Sequence, residues 1–279
     1  MSIQHTSNPG RDRVETRLGH LHVRHYGGDG QATVLWPSMF VDGHSWNLLI
    51  PLLLAADHDR HLIVVDPPGL GASDPLTRVS SIAEAADAAV DLLTASGLEH
   101  TAVDWVGNAF GGHVGFELAT RPGVVRSLAA ISSPAEAIPA GLRRQITLLA
   151  PLLRTFGPIG PVRRAVVTAM LTERSAARPE LVRIVRESLE RPTRRSLARA
   201  LRSFILDRVD VSESLGRIRV PALYLASDDR GDWSPSDAAR SAAATPHARA
   251  VTIAGARTLI PLEQPEALCR ELMRFWKGL

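Results

Sequence analysis

The residues in this chain best spaced for chemistry form the pentapeptide Gly107-Asn108-Ala109-Phe110-Gly111. It lies between a β-branched run, Thr101 to Val106, and an amphipathic stretch reaching Ala119. Glycines two residues either side of a central position allow a strand-to-helix turn too tight for β-carbons. Such a turn thrusts the central side chain out over the sheet, at a helix N-terminus that favours developing negative charge. A serine, cysteine or aspartate there would be a nucleophile. This chain has alanine, whose methyl group can neither attack nor accept a proton.

Three further segments carry candidate groups. Leu35-Trp36-Pro37-Ser38-Met39-Phe40 follows an apolar run and offers backbone N–H donors from Ser38 or Met39, while Pro37 has none. Ser227 to Pro235 (SDDRGDWSP) holds Asp229 and Asp232 as candidate acids, and one alignment puts Arg230 at that place instead. Gly255 to Glu266 (GARTLIPLEQPE) precedes the final helical pattern. A fourth segment, Asp66-Pro67-Pro68-Gly69-Leu70-Gly71-Ala72-Ser73-Asp74, ends an early apolar run.

In their order along the chain, Leu35–Phe40, Asp66–Asp74, the Gly107–Gly111 turn and Gly255–Glu266 resemble the α/β-hydrolase family, from about residue 12 to the end of the chain, while the Ser227–Pro235 loop is one residue longer than the family's acid loop. The resemblance implies an oxyanion loop at Ser38–Met39, a nucleophile position at Ala109, an acid in the Asp229/Asp232 loop and a general base at Thr258. Threonine cannot be a general base near neutral pH, and no histidine follows His247. Losses at two separate positions point to a natural loss of the triad rather than a single knock-out. The expected site is therefore an oxyanion hole without an attacker. Met39, Ala109, Phe110, Trp233 and Thr258 are expected to bind substrate there, with Asp229, Asp232 and Ser38 as catalytic candidates. A buried aspartate of raised pKa could act as a base. The expected functions are a non-hydrolytic enzyme (elimination, cyclisation or isomerisation), a ligand-binding pseudoenzyme, or a hydrolase using an aspartate-activated water.

To position these residues, the chain needs a mostly parallel sheet. Val14 to Tyr26 alternates around a Leu-Gly-His turn and reads as a hairpin. Buried-strand runs follow at Ala32–Trp36, His61–Asp66, Thr101–Val106, Val125–Ile131, Ala222–Ala226 and Ala248–Ile253, with helical patterns between them. The expected fold is α/β: an eight-stranded, mostly parallel α/β-hydrolase sheet flanked by helices, with an inserted helical cap. The core is assigned to 1–135 and 206–279 and the cap to 136–205. Between Gly141 and Ile205 no strand pattern occurs, and prolines at 158, 161, 179 and 192 divide the segment into short helices. Residues 141–205 hold 14 Arg and 4 Glu, a net of +10, which leaves −7 for the rest of a +3 chain. These arginines read as solvated faces paired with Glu173, Glu187 and Glu190, or as an attraction for an anionic ligand, partner or neighbouring subunit.

Composition sets the outer bounds. Of 279 residues, 45% are hydrophobic and 22% charged, which is ordinary for a globular protein. A net charge of +3 is too weak to imply nucleic acid, and no apolar run is long enough to span a bilayer. The polar N-terminus has no signal-peptide pattern, which makes the cytoplasm the expected location. The single cysteine, Cys269, excludes an intrachain disulfide and reads as a small buried hydrophobe. His20, His22 and His25 lack a ligand partner, so no metal and no cofactor is expected. The expected partner is a small molecule, anionic or apolar, with no nucleic acid and no membrane; the sequence is compatible with an oligomer. Asp104 reads as structural, His113 as a buried, hydrogen-bonded histidine and His44 as a loop residue or part of the pocket mouth. Trp46, Trp105 and Trp233 read as packing, with Trp233 the best candidate for a pocket wall.

Overall fold

The computed structural model describes residues 10–229 and 233–279. Eight strands form one sheet: β1 (Gly10–Thr16), β2 (Gly19–Gly27), β3 (Ala32–Trp36), β4 (His61–Val65), β5 (Val103–Asn108), β6 (Val125–Ile131), β7 (Ala222–Ser227) and β8 (Ala248–Ile253). Their order across the sheet is β1-β2-β4-β3-β5-β6-β7-β8. β2 runs antiparallel to both neighbours, and the other pairings are parallel. The expected hairpin is β1–β2, and each expected buried run is a strand.

The helices flanking the sheet are α1 (Ile50–Ala56), α2 (Ile82–Ala95) and α3 (Phe110–Ala119). Five more lie between β6 and β7, where no strand pattern was found: α4 (Ala140–Phe156), α5 (Gly160–Met170), α6 (Glu173–Ala176), α7 (Pro179–Glu190) and α8 (Arg194–Leu201). These inserted helices are called the cap below. The chain closes with α9 (Pro235–Ala243), α10 (Ile260–Glu263) and α11 (Pro265–Trp276).

Period-two alternation divides the core between the two faces of the sheet. Val34, Trp36, Ile63, Val65, Val103, Trp105, Leu128 and Ala130 face one side, with α2, α3 and the cap. Leu35, Leu62, Val64, Val106, Ala129 and Ile131 face the other, against α1 and α11. Burial on both faces is what makes the central strands read as continuous apolar runs. Cys269 lies in this second cluster, where burial pushes its thiol pKa up. Asp104 is structural, as expected: it is buried, accepts hydrogen bonds from Arg60, Arg126 and Ser127, and fastens β5 to its neighbours.

Candidate functional site

The turn from β5 to α3 sets the centre of the site. Ala109 adopts φ 47°, ψ −103°, a left-handed conformation unusual for a residue with a side chain. The two glycines explain why the turn closes. A β-carbon on Gly107 would stand 2.1 Å from the Gly111 carbonyl, and one on Gly111 would stand 2.1 Å from the Trp36 oxygen. The Trp105 indole donates to the Gly111 carbonyl at 2.9 Å and fixes the turn to the strand below. Asn108 is buried, and its amide donates to Ile131 O at 3.1 Å and Thr258 O at 2.9 Å. It thus joins the elbow, β6 and the loop after β8.

Above the elbow lies a cavity of about 680 Å³. Ser38, Met39, Ala109, Phe110, His113 and Thr258 form its floor, at the carboxyl ends of the strands. Leu142, Ile146, Leu149 and Leu153 of α4, Val162, Val166 and Met170 of α5, Leu201 at the end of α8, and Phe204 and Ile205 just beyond it form its apolar walls. The Phe110 ring stacks on Phe204, with centroids 4.2 Å apart, and joins floor to cap. At one end the lining is charged: Arg240 reaches Glu136 at 3.3 Å and also pairs with Asp237, and Arg208 donates to Glu136 O at 2.9 Å.

Phe110 opens α3, so its N–H has no intrahelical acceptor. Among the described residues nothing accepts from it, or from the N–H of Ser38 or Met39. The Ser38 hydroxyl is likewise without a protein partner among these residues, although the residue is buried.

Five of the expected site residues are therefore brought together: Ser38, Met39, Ala109, Phe110 and Thr258. The others fare differently. Asp229 is not part of the cavity lining. Arg257 holds both its oxygens, at 3.0 and 3.2 Å, and the same guanidinium donates to Thr168 O at the end of α5. Asp232 lies outside the described residues. Trp233 does not wall the cavity: it is buried against Tyr224, with centroids 5.6 Å apart. The Thr258 hydroxyl donates to Ala169 O at 3.1 Å, which ties the loop after β8 to α5. Arg257 and the Thr258 hydroxyl both fasten the cap to the core.

Two histidines need comment. His113 is buried as expected, and its Nε2 donates to Pro134 O at 2.8 Å, but the residue also lines the cavity. Burial, and then the nearby Arg208 charge, push its pKa down to about 3, so it is neutral at ordinary pH. His44 is not on the cavity lining. Its Nδ1 meets the buried Asp42 at 2.8 Å, and Arg191 at the end of α7 binds the other Asp42 oxygen. Burial would raise the Asp42 pKa, but His44 and then Arg191 hold it at about 2. The sequence reading missed Asp42 and Arg257, because both act through partners distant in the chain. Among the described residues no group of three His, Cys, Asp or Glu side chains is placed to hold a metal ion. Among them, too, no helix is long and apolar enough to cross a membrane.

Comparison with solved structures places this geometry among known folds. The chain is similar to a thermophilic esterase from Thermogutta terrifontis, with 22% identity and a TM-score of 0.85, over 96% of this chain and 98% of that one. It is also similar to the enol-lactonase from Burkholderia xenovorans LB400, with 20% identity and a TM-score of 0.84, over 95% of this chain and 100% of that one. A carboxylesterase from Bacillus subtilis matches at 21% identity and a TM-score of 0.80, over 98% and 93%. At such identities the likeness establishes the fold alone. No curated protein matches the sequence. Residues 33–271 match the alpha/beta hydrolase family, and with the sheet order, the elbow and the inserted helices in agreement, the chain belongs to that family.

Proposed function

We propose that this protein binds a small, largely apolar molecule beneath the cap, without forming a covalent bond to it. One observation carries this reading. The cavity persists at about 680 Å³ while the nucleophile and base positions are Ala109 and Thr258, and Asp229 is held by Arg257. That volume suits a ligand of ordinary metabolite or drug size. The apolar walls would take the body of the molecule. A carbonyl, phenolate or carboxylate oxygen would accept from the N–H of Phe110 and of Ser38 or Met39, with the Ser38 hydroxyl as a third donor. Mass spectrometry of ligand released from natively purified protein, combined with thermal shift against small enols, lactones and aromatic acids, tests the reading. A saturating shift with the ligand recovered unchanged is the expected result. Release of product above the buffer rate would reject it.

A second reading, a non-hydrolytic enzyme, is favoured by the unpartnered N–H groups and the Ser38 hydroxyl. Preorganised donors of this kind stabilise developing oxyanions in eliminations or isomerisations. It needs a proton acceptor other than Asp229. Under it, Ser38→Ala lowers turnover, whereas under simple binding the same change affects affinity alone. Hydrolysis by a water activated at Asp229 is disfavoured by the Arg257 pair.

A further inference from the structure

Helix α4 has two apolar faces, and the cavity uses one of them. Leu142, Ile146, Leu149 and Leu153 turn inward to the cavity. Leu148, Leu152 and Phe156 repeat every four residues on another face, and Ile159 follows in the turn to α5. Their exposures are 72%, 42%, 57% and 54%. A helix buried along one stripe would normally carry polar residues there, and a contiguous exposed apolar patch marks an interaction surface.

The charge around the stripe says what it meets. Residues 140–170 contain five arginines (143, 144, 154, 163 and 164) and no acidic residue. Arg163 reaches Glu190, and Arg143 lies 3.9 Å from Asp207. Among the described residues no carboxylate stands within salt-bridge distance of Arg144, Arg154 or Arg164. Two copies meeting through this face would set arginines against arginines. An anionic lipid surface would match both features, taking the apolar side chains at its acyl boundary and the guanidinium groups at its headgroups.

We propose that the α4–α5 face of the cap docks peripherally on anionic membrane. A docking face of this kind needs no membrane-spanning segment. The proposal is independent of what the cavity holds. It also gives α4 a single geometry for both tasks, since one side of the helix faces the bilayer and an adjoining side faces the apolar cavity.

Flotation with vesicles of phosphatidylcholine, with and without phosphatidylserine, tests it. The full chain should float with the anionic vesicles, poorly with the neutral ones, and less as salt rises. Leu148→Ser/Leu152→Ser/Phe156→Ser should weaken binding to anionic vesicles by about tenfold or more. Arg144→Gln/Arg154→Gln/Arg164→Gln should do the same, by about tenfold or more, through loss of headgroup attraction. Circular dichroism and melting confirm that each variant is folded, and the arginine set decides the matter if the apolar set is not. Absence of flotation, equal flotation with both vesicle types, or binding unchanged in the variants would overturn the proposal. So would a concentration-dependent dimer, seen by light scattering, that the apolar set dissolves, because the occupant would then be a second copy.

Discussion

Ala109 holds a backbone conformation that a nucleophile would need and that an alanine does not. Residues at such angles cost on the order of 1–3 kcal/mol. Ala109→Gly should therefore stabilise the fold by about 1 kcal/mol after glycine's own entropic cost, as read by chemical denaturation. Ala109→Ser should leave p-nitrophenyl ester hydrolysis at background, because Thr258 cannot take the serine proton. His113 gives a pH signature. It is neutral when folded, with a pKa of about 3 against an ordinary 6.5, so below 6.5 the unfolded chain takes up the extra proton. Stability should fall as pH drops from 6.5 towards 3, by up to about 1.4 kcal/mol per unit from this residue. Denaturation at about pH 7 and about pH 4.5 should show a shallower loss in His113→Gln. The alanine at the centre of the elbow was legible in the sequence because it is a matter of residue type and glycine spacing. The fate of Asp229 was not, because its partner Arg257 is 28 residues away and meets it only through the parallel pairing of β7 with β8.

The elements rest on contacts that tolerate little change. Gly107→Ala would drive a β-carbon into the backbone of α3 and should prevent folding, seen as insoluble or unfolded protein. Arg191 joins α7 to the loop after β3 through Asp42. Arg191→Met leaves Asp42 buried with His44 alone, and should cost about 1–2 kcal/mol, less than a fully buried pair because Arg191 is partly exposed. The Asp42 contribution is complete above its ordinary value of 3.8 and is lost as pH falls towards 2, so the penalty in Arg191→Met should shrink under acid. Strands were legible from their β-branched runs because both faces of the sheet are buried. The cap was legible as helices from apolar spacing. The assignment of α4's two apolar faces was not, since one helical stripe looks like another until a partner is placed against it.

Across the whole molecule, the cap is stitched to the core by bonds between residues far apart in sequence. Ser196 donates to Gly69 O and accepts from Leu76 N, and Ser203 accepts from Ser80 N. Thr172 donates twice to the buried Glu263, which also accepts from Arg257 N. With the Arg191 and Arg257 clasps, these spread over α5, α6, α7 and α8. Amide exchange in α7 and α8 should therefore be slowed nearly as much as in the sheet, and a bound ligand should add protection chiefly in α4 and α5. The charge division of the sequence, +10 over residues 141–205 against −7 elsewhere, is thereby held in a fixed orientation.

The elbow also offers a chemical address. Ala109→Cys would set a thiol at the floor of the cavity, at the N-terminus of α3, where the thiolate is favoured. The native Cys269 is buried, with its pKa raised, and should be a slow competitor. A maleimide fluorophore should label such a variant at one site, and its rate should drop when the cavity fills. The elbow could thus report the occupancy of the cavity above it through a single introduced sulfur.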